Sequence, residues 1–152
     1  MISKLAARSL SVLLLLGCGG LHAEGWLETR IAVEDFAVTE DLDAAVALSD
    51  ELLTQAEAEF GATSTELYDA HLLLASIYRR QQNYADAELQ MLRAIEILET
   101  RDGSQSTTLV QPLIALGETY FEAGDYQLSL ATFEEARAIG RRVEGLLNPS
   151  QI

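Results

Sequence analysis

The sequence predicts an all-α protein built from stacked pairs of antiparallel helices, and three observations predict it. A run from Leu74 to Ala87 recurs 42 residues later from Leu116 to Ser129. Leu74 aligns with Leu116, Tyr78 with Tyr120 and Tyr84 with Tyr126, and the register continues through Met91 with Phe133 and Ala94 with Ala136. A fixed period of this size marks repeated helical units. Apolar residues within each copy recur at spacings of three and four, as in Ala87, Met91, Ala94 and Ile95, which places them on one helical face. A short break divides each copy, Gln82-Asn83 in one and Gly124-Asp125 in the other. Gly, Asn and Asp suit the conformations that end one helix and start the next. Each copy therefore reads as helix, tight turn, helix.

Residues 1 to 23 read as an export signal. Lys4 and Arg8 form a positive start, and Leu10 to Leu16 form an apolar run too short to span a bilayer. Two cleavage readings stand side by side. Leu15-Leu16-Gly17-Cys18 resembles a bacterial lipobox, in which Cys18 is lipidated and anchors the mature chain. Leu21-His22-Ala23 offers an ordinary cleavage site before Glu24. Either implies a protein exported across the cytoplasmic membrane, in the periplasm or tethered to the outer membrane by lipid. Residues 24–40 show no clear periodicity and are expected to form a linker or irregular arm, with Trp26 packed on the first helix.

A helix is expected over 41–60. Glu40 and Asp41 favour its N-terminus, and Leu42, Ala45, Leu48, Leu52, Leu53 and Ala56 make its apolar face. Ala45 matches Ala87 in the 42-residue register, so this reads as the second helix of an incomplete repeat. Two full copies follow, 66–101 and 108–143, with helices at about 66–81, 84–100, 108–123 and 126–143. Ser64 and Thr65 are equal candidates for the cap of the first of these. Pro112 falls in a first turn, where its missing N–H costs little. Small residues at Ala75, Gly117, Ala87 and Ala94 allow close helix approach, beside Tyr78, Tyr84, Tyr120, Tyr126 and Phe133. Gly145 is the expected terminator. Asn148-Pro149-Ser150 reads as the start of another helix within 148–152, so the array is expected to continue or to stack through an apolar face of Ile139, Val143, Leu146, Leu147 and Ile152.

This pattern resembles a tetratricopeptide repeat. The first copy keeps Leu74, Ala75, Tyr78, Tyr84, Ala87 and Ala94; the second keeps Leu116, Gly117, Tyr120, Gly124, Asp125, Tyr126, Phe133 and Ala136. Ser129 replaces a usual Ala, His71 and Leu113 stand where Trp is usual, and the closing Pro is missing. The 42-residue period, with Thr100 to Thr107 as an inserted loop, is similar to the longer variant of kinesin light chains. The resemblance implies a right-handed superhelical array of about two and a half repeats whose concave groove binds a protein or peptide. Carried over position by position, the groove residues are Asp69, Leu72, Ser76, Arg79 and Arg80 in one copy, and Gln111, Ile114, Glu118, Phe121 and Glu122 in the next. Arg79 and Arg80 are expected to recognise carboxylates, with Phe121 as an apolar anchor. The Lys and Asn pattern of chaperone-tail clamps is absent.

Composition narrows the function classes. The 152 residues carry 24 acidic and 10 basic side chains, a net charge of −14. Nucleic-acid binding needs a basic footprint that this chain lacks. The single cysteine excludes an internal disulfide and a cysteine-rich zinc site. No phosphate loop, nucleophile elbow, H-E-x-x-H or C-x-x-C is present. His71 is the only histidine beyond the leader and sits at a packing position. Acid pairs such as Glu134-Glu135 are adjacent, so on a helix they point about 100° apart and do not converge. The sequence thus implies no enzyme, no metal and no cofactor. The expectation is a binding scaffold of the bacterial envelope, and the alternative is a module that self-assembles through its C-terminal face.

Overall fold

The computed structural model describes residues 21–146, with side chains from 24 to 142. Six helices follow in order: α1 (Leu21–Val38), α2 (Leu42–Phe60), α3 (Thr65–Arg80), α4 (Tyr84–Asp102), α5 (Val110–Ala123) and α6 (Tyr126–Leu146), with a single 3-10 turn at Thr107–Leu109. No strand occurs among the described residues. Each helix packs chiefly on its sequence neighbours, α1 on α2, α3 on α4 and α5 on α6, and the pairs stack through α2 with α3 and α4 with α5. The export signal, Cys18 and residues 148–152 lie outside the described residues.

The largest departure from expectation is at 24–40, which is a helix and no irregular arm. α1 completes the first pair, so the expected half repeat is the second helix of a whole one. Its amphipathicity is weak because exposed Leu27, Ile31 and Val38 interrupt the polar side. Burial of Trp26, Val33 and Ala37 against α2 and α3 holds it in place. Trp26 stacks edge-on against Phe60 at 5.6 Å, with the Arg30 guanidinium 5.4 Å from the ring centre.

The 42-residue register extends through all three pairs and is clearest at the turns. Asp41 N–H donates to Phe36 C=O at 3.0 Å, Asn83 to Tyr78 at 2.9 Å and Asp125 to Tyr120 at 2.8 Å. Each bond closes the preceding helix in the six-to-one manner of a Schellman motif. The residue inside each closure is left-handed: Glu40 at φ 63°, Gln82 at φ 60° and Gly124 at φ 88°. Only the third is glycine. A left-handed L-residue carries about 1–2 kcal/mol of steric cost, partly offset by the unfolded-state entropy that glycine adds. Gln82→Gly is therefore expected to stabilise the fold by about 0.5 kcal/mol, measured by urea unfolding; destabilisation would refute this account.

Between pairs, Gly61 and Gly103 adopt φ of 95° and 91°. Ser64 Oγ then accepts from Leu67 N–H at 3.1 Å, which settles the cap of α3 on Ser64. The core runs in two continuous clusters, one under α1 to α3 around Leu52 and Ile77, the other joining α3 to α6 around Met91, Leu113 and Tyr120.

Three smaller expectations are corrected. α6 continues through Gly145 to Leu146, because an isolated helical glycine costs only about 1 kcal/mol. Ile139 is 3% exposed and belongs to the core, so it lines no open face; the side chains of Val143, Leu146, Leu147 and Ile152 lie outside those described. Tyr126 does not fill space between helices: it is exposed and meets Phe121 edge-on at 5.4 Å.

Candidate functional site

The first helices of the three pairs, α1, α3 and α5, lie side by side and are stitched by polar contacts. Arg30 on α1 pairs with Glu34 at 3.0 Å and reaches Asp69 on α3 at 3.7 Å. Arg79 on α3 grips Glu122 on α5 with two nitrogens, Nε at 3.2 Å and Nη2 closer. Its Nη1 stands 3.7 Å from Glu118. The fork geometry of a guanidinium on a carboxylate gives this contact orientation as well as charge. The Glu122 hydrogen bond, helped by both carboxylates, raises the pKa of Arg79. Burial raises the pKa of the half-buried Asp69, and Arg30 only partly opposes it.

Arg80 has a different task. Its Nη1 donates to Ala37 C=O at 2.6 Å, a carbonyl in the last turn of α1 that also accepts from Glu40 N–H at 3.3 Å, and Nη2 lies 3.9 Å from Glu40. Gln81 adds a bond to Asp43 at 2.9 Å. The two arginines expected to recognise a partner's carboxylates thus have intramolecular acceptors. Arg79 joins the second and third pairs, and Arg80 joins the second to the first.

The other expected groove residues divide cleanly. Leu72 and Ile114 are half-buried and rest on the second core cluster. Ser76 is exposed, with its hydroxyl on Leu73 C=O at 2.7 Å. Gln111 is exposed. Phe121 is 60% exposed and forms with Tyr126 an aromatic pair at the turn between α5 and α6. Arg79, Glu118 and Glu122 come together; Phe121 is on the same helix, and Asp69 stands at the α1 edge. Sequence reasoning missed the α1 contribution of Leu27, Arg30, Ile31 and Glu34. The register carried the signal, since Leu27, Arg30 and Glu34 precede Asp69, Leu72 and Ser76 by 42 positions.

His71 sits on α3 at the base of a cleft of about 560 Å³ between α2 and α4, beside Glu57 and Arg93. Its Nδ1 donates to Gln90 Oε1 at 2.8 Å. Burial pulls its pKa below 6.5, against the hydrogen bond to Gln90. A histidine whose folded pKa is depressed binds fewer protons than in the unfolded chain. Its contribution to stability is therefore full above the unfolded value, about 6.5, and falls as pH drops below it. Leu113 holds this place in the next copy. His71→Leu is expected to flatten the pH dependence of stability between about pH 5 and 7, read by thermal unfolding across that range; an unchanged slope would assign it elsewhere.

Among the described residues, no group of three or more His, Cys, Asp or Glu is placed to hold a metal. No described helix is long and apolar enough to cross a membrane.

No protein-family model matches the chain, and no curated protein matches it. Among solved structures it is similar to the TPR domain of Arabidopsis FLU, with a TM-score of 0.66 and 17% identity, over 82% of this chain and 98% of that one. It is also similar to BtubC (BKLC) from P. vanneervenii, with a TM-score of 0.47 and 18% identity, over 79% of this chain and 65% of that one. At 17% identity the first likeness is one of fold. Joined to six helices in three stacked pairs, the first of these likenesses gives the chain a tetratricopeptide-repeat-like fold.

Proposed function

We propose that the protein is a non-catalytic scaffold that binds a protein or peptide along the surface of α1, α3 and α5. One observation carries the reading. The surface is a rigid frame, tied across helices by Arg30–Asp69 and by Arg79 with Glu118 and Glu122, from which apolar side chains project. Phe121 is 60% exposed and Leu27 and Ile31 about half, and none of them serves the core. Apolar anchors carried on a backbone held by a polar frame bind at a reduced ordering cost. Because Arg79 is already satisfied, Glu118 and the remaining carboxylates set the sign. The partner would carry an apolar side chain flanked by basic ones.

The export reading belongs to the same proposal. Lys4, Arg8 and the apolar run to Leu16 direct the chain to the bacterial envelope, soluble or held by lipid on Cys18. Cleavage before Glu24 would remove Leu21, His22 and Ala23 from α1, whereas cleavage before Cys18 would keep them. Mass spectrometry of the mature N-terminus decides between a lipidated Cys18 and a free Glu24, and an uncleaved Met1 would remove the export reading altogether.

The scaffold reading is tested by in-cell photocrosslinking from position 121, compared with a chain carrying Leu27→Asp and Ile31→Asp. A distinct protein joined to the first chain and lost from the second supports binding on this surface. Recovery of no other protein, or the same one from both chains, sinks it.

A further inference from the structure

The cleft between α2 and α4 differs in chemistry from the matching positions one repeat further on. We infer that it binds a small organic cation, an ammonium group on an apolar stem, with Glu57 as counter-charge and His71 Nε2 as hydrogen-bond acceptor. The site is bounded by α2, α3 and α4 within the stack. It stands apart from the binding surface of α1, α3 and α5.

The base of the cleft is His71. Its Nδ1 donates to Gln90, so Nε2 of the neutral ring is an acceptor. Nε2 has no partner among the described residues, yet it is not sealed from solvent. The open space that His71 lines is this cleft. Burial pulls the pKa of the ring below 6.5, so it is uncharged at neutral pH. Leu53, Leu67 and Ile97 supply an apolar wall for a stem. A volume of about 560 Å³ is that of a small-molecule site.

The charge of the lining selects a cation. Glu57, Arg93 and Glu96 are its charged residues. Arg93 is bound to Glu96 at 2.9 Å, whereas Glu57 is exposed and has no ion pair among the described residues. Glu57 stands in the last turn of α2 and Thr100 in the last turn of α4, so both helices present their negative, C-terminal ends here. Arg101, the cation of the last turn of α4, binds Asp102 and Thr65 instead. The start of α3 has the opposite sign, but Ser64 caps it and Glu66 lies in its first turn. Thr54 gives its hydroxyl hydrogen to Asp50 C=O at 2.9 Å, which leaves its oxygen to accept. An ammonium group brings three donors to these acceptors, whereas a carboxylate would be repelled by Glu57. Forty-two positions on, Glu57 becomes Glu99, but His71 becomes Leu113 and Thr100 becomes Arg142. Those positions keep the carboxylate, lack the acceptor and add a guanidinium.

The test is two-dimensional NMR of the full chain titrated with pentylamine, which is protonated at neutral pH, against pentanol and pentanoate at equal ionic strength. The expected result is saturable movement of the amides around Leu53, Glu57 and His71 with pentylamine. Pentanol and pentanoate should bind at least about tenfold more weakly. Glu57→Gln and His71→Leu should each weaken pentylamine binding by about tenfold, while Glu99→Gln leaves it unchanged. Glu57 is exposed, so its replacement keeps the test decisive even where His71→Leu alters packing. Acetyl-lysine methylamide separates the two sources of such a group. Affinity equal to that of pentylamine supports a site that takes a lysine side chain from another polypeptide, and lost affinity supports one for a free amine. Shifts that never saturate, or equal binding of pentanol or pentanoate, overturn the inference. So does a Glu99→Gln effect as large as that of Glu57→Gln, which would mean a general attraction of cations to an acidic surface.

Discussion

Gly117→Val is expected to destabilise the last helix pair by about 3 kcal/mol. A Cβ built on Gly117 would lie 2.7 Å from Phe133 Cε1, 2.9 Å from Cδ1 and 3.0 Å from Cζ. A whole edge of the ring therefore blocks the space, and valine adds two further methyl groups to the clash. The better helix propensity of valine returns only a few tenths of a kcal/mol. The other pairs show how the same layer is filled in this protein. Val33 aligns with Ala75 and Gly117, while Ser49 aligns with Met91 and Phe133. As one side grows the other shrinks, and Val33 faces the smallest partner. Adding Phe133→Ser to Gly117→Val should therefore recover part of the loss, with a coupling energy of at least about 1 kcal/mol in a double-mutant cycle. Strictly additive urea-unfolding energies would show that the two side chains do not share this space.

At the other end of the array, Leu52→Ala should cost about 3 kcal/mol. Leu52 is fully buried beside Val33, Ala56, Leu67 and Ile77. Later copies carry Ala94 and Ala136 at this position, which suggests at first sight that alanine is tolerated. They also carry Met91 and Phe133 where the first copy has Ser49, and these larger residues fill the layer. Ser49 is small and bonded to Ala45 C=O at 2.7 Å, so it cannot fill the gap as Met91 and Phe133 do in the later copies. The loss should be local. α1 packs chiefly on α2, and in a quasi-one-dimensional stack the terminal unit opens first. Amide exchange should accelerate in α1 and α2 while α5 and α6 keep their protection. A penalty below about 1 kcal/mol would mean that the layer closes over the space, against this account of its packing.

Much of the fold was legible because its information is local. The four helices of the two clear copies and the turns at Gln82 and Gly124 follow from spacings within about twenty residues, while the cap of α3, open between Ser64 and Thr65 in the sequence, needed the Leu67 N–H bond to Ser64 to decide it. α1 was missed because its evidence is not local. Its polar side is interrupted by Leu27, Ile31 and Val38, and its kinship to α3 and α5 rests on a few substituted positions such as Phe36 for Tyr78. The candidate surface followed the same division. Of the residues expected on the groove, Ser76, Arg80, Gln111, Glu118, Phe121 and Glu122 are exposed, and the acceptors of Arg79 and Arg80 lie 43 positions away on neighbouring first helices. No spacing within one helix announces that partnership.

The sequence by itself determined the period, the helix pairing and the places where the chain turns, since these depend on φ preferences, capping and apolar periodicity along a single strand of residues. Only the tertiary structure decided that Leu21–Val38 is the first helix of the first pair and that Arg79 and Arg80 bind their own chain. Those outcomes depend on which faces the stack covers. A residue's chemistry is set there by what lies across from it: Ala70 and Ile77 are core because they pack with Leu52 and Ala56 of α2, while on α1 the same register holds the exposed Glu28 and Asp35.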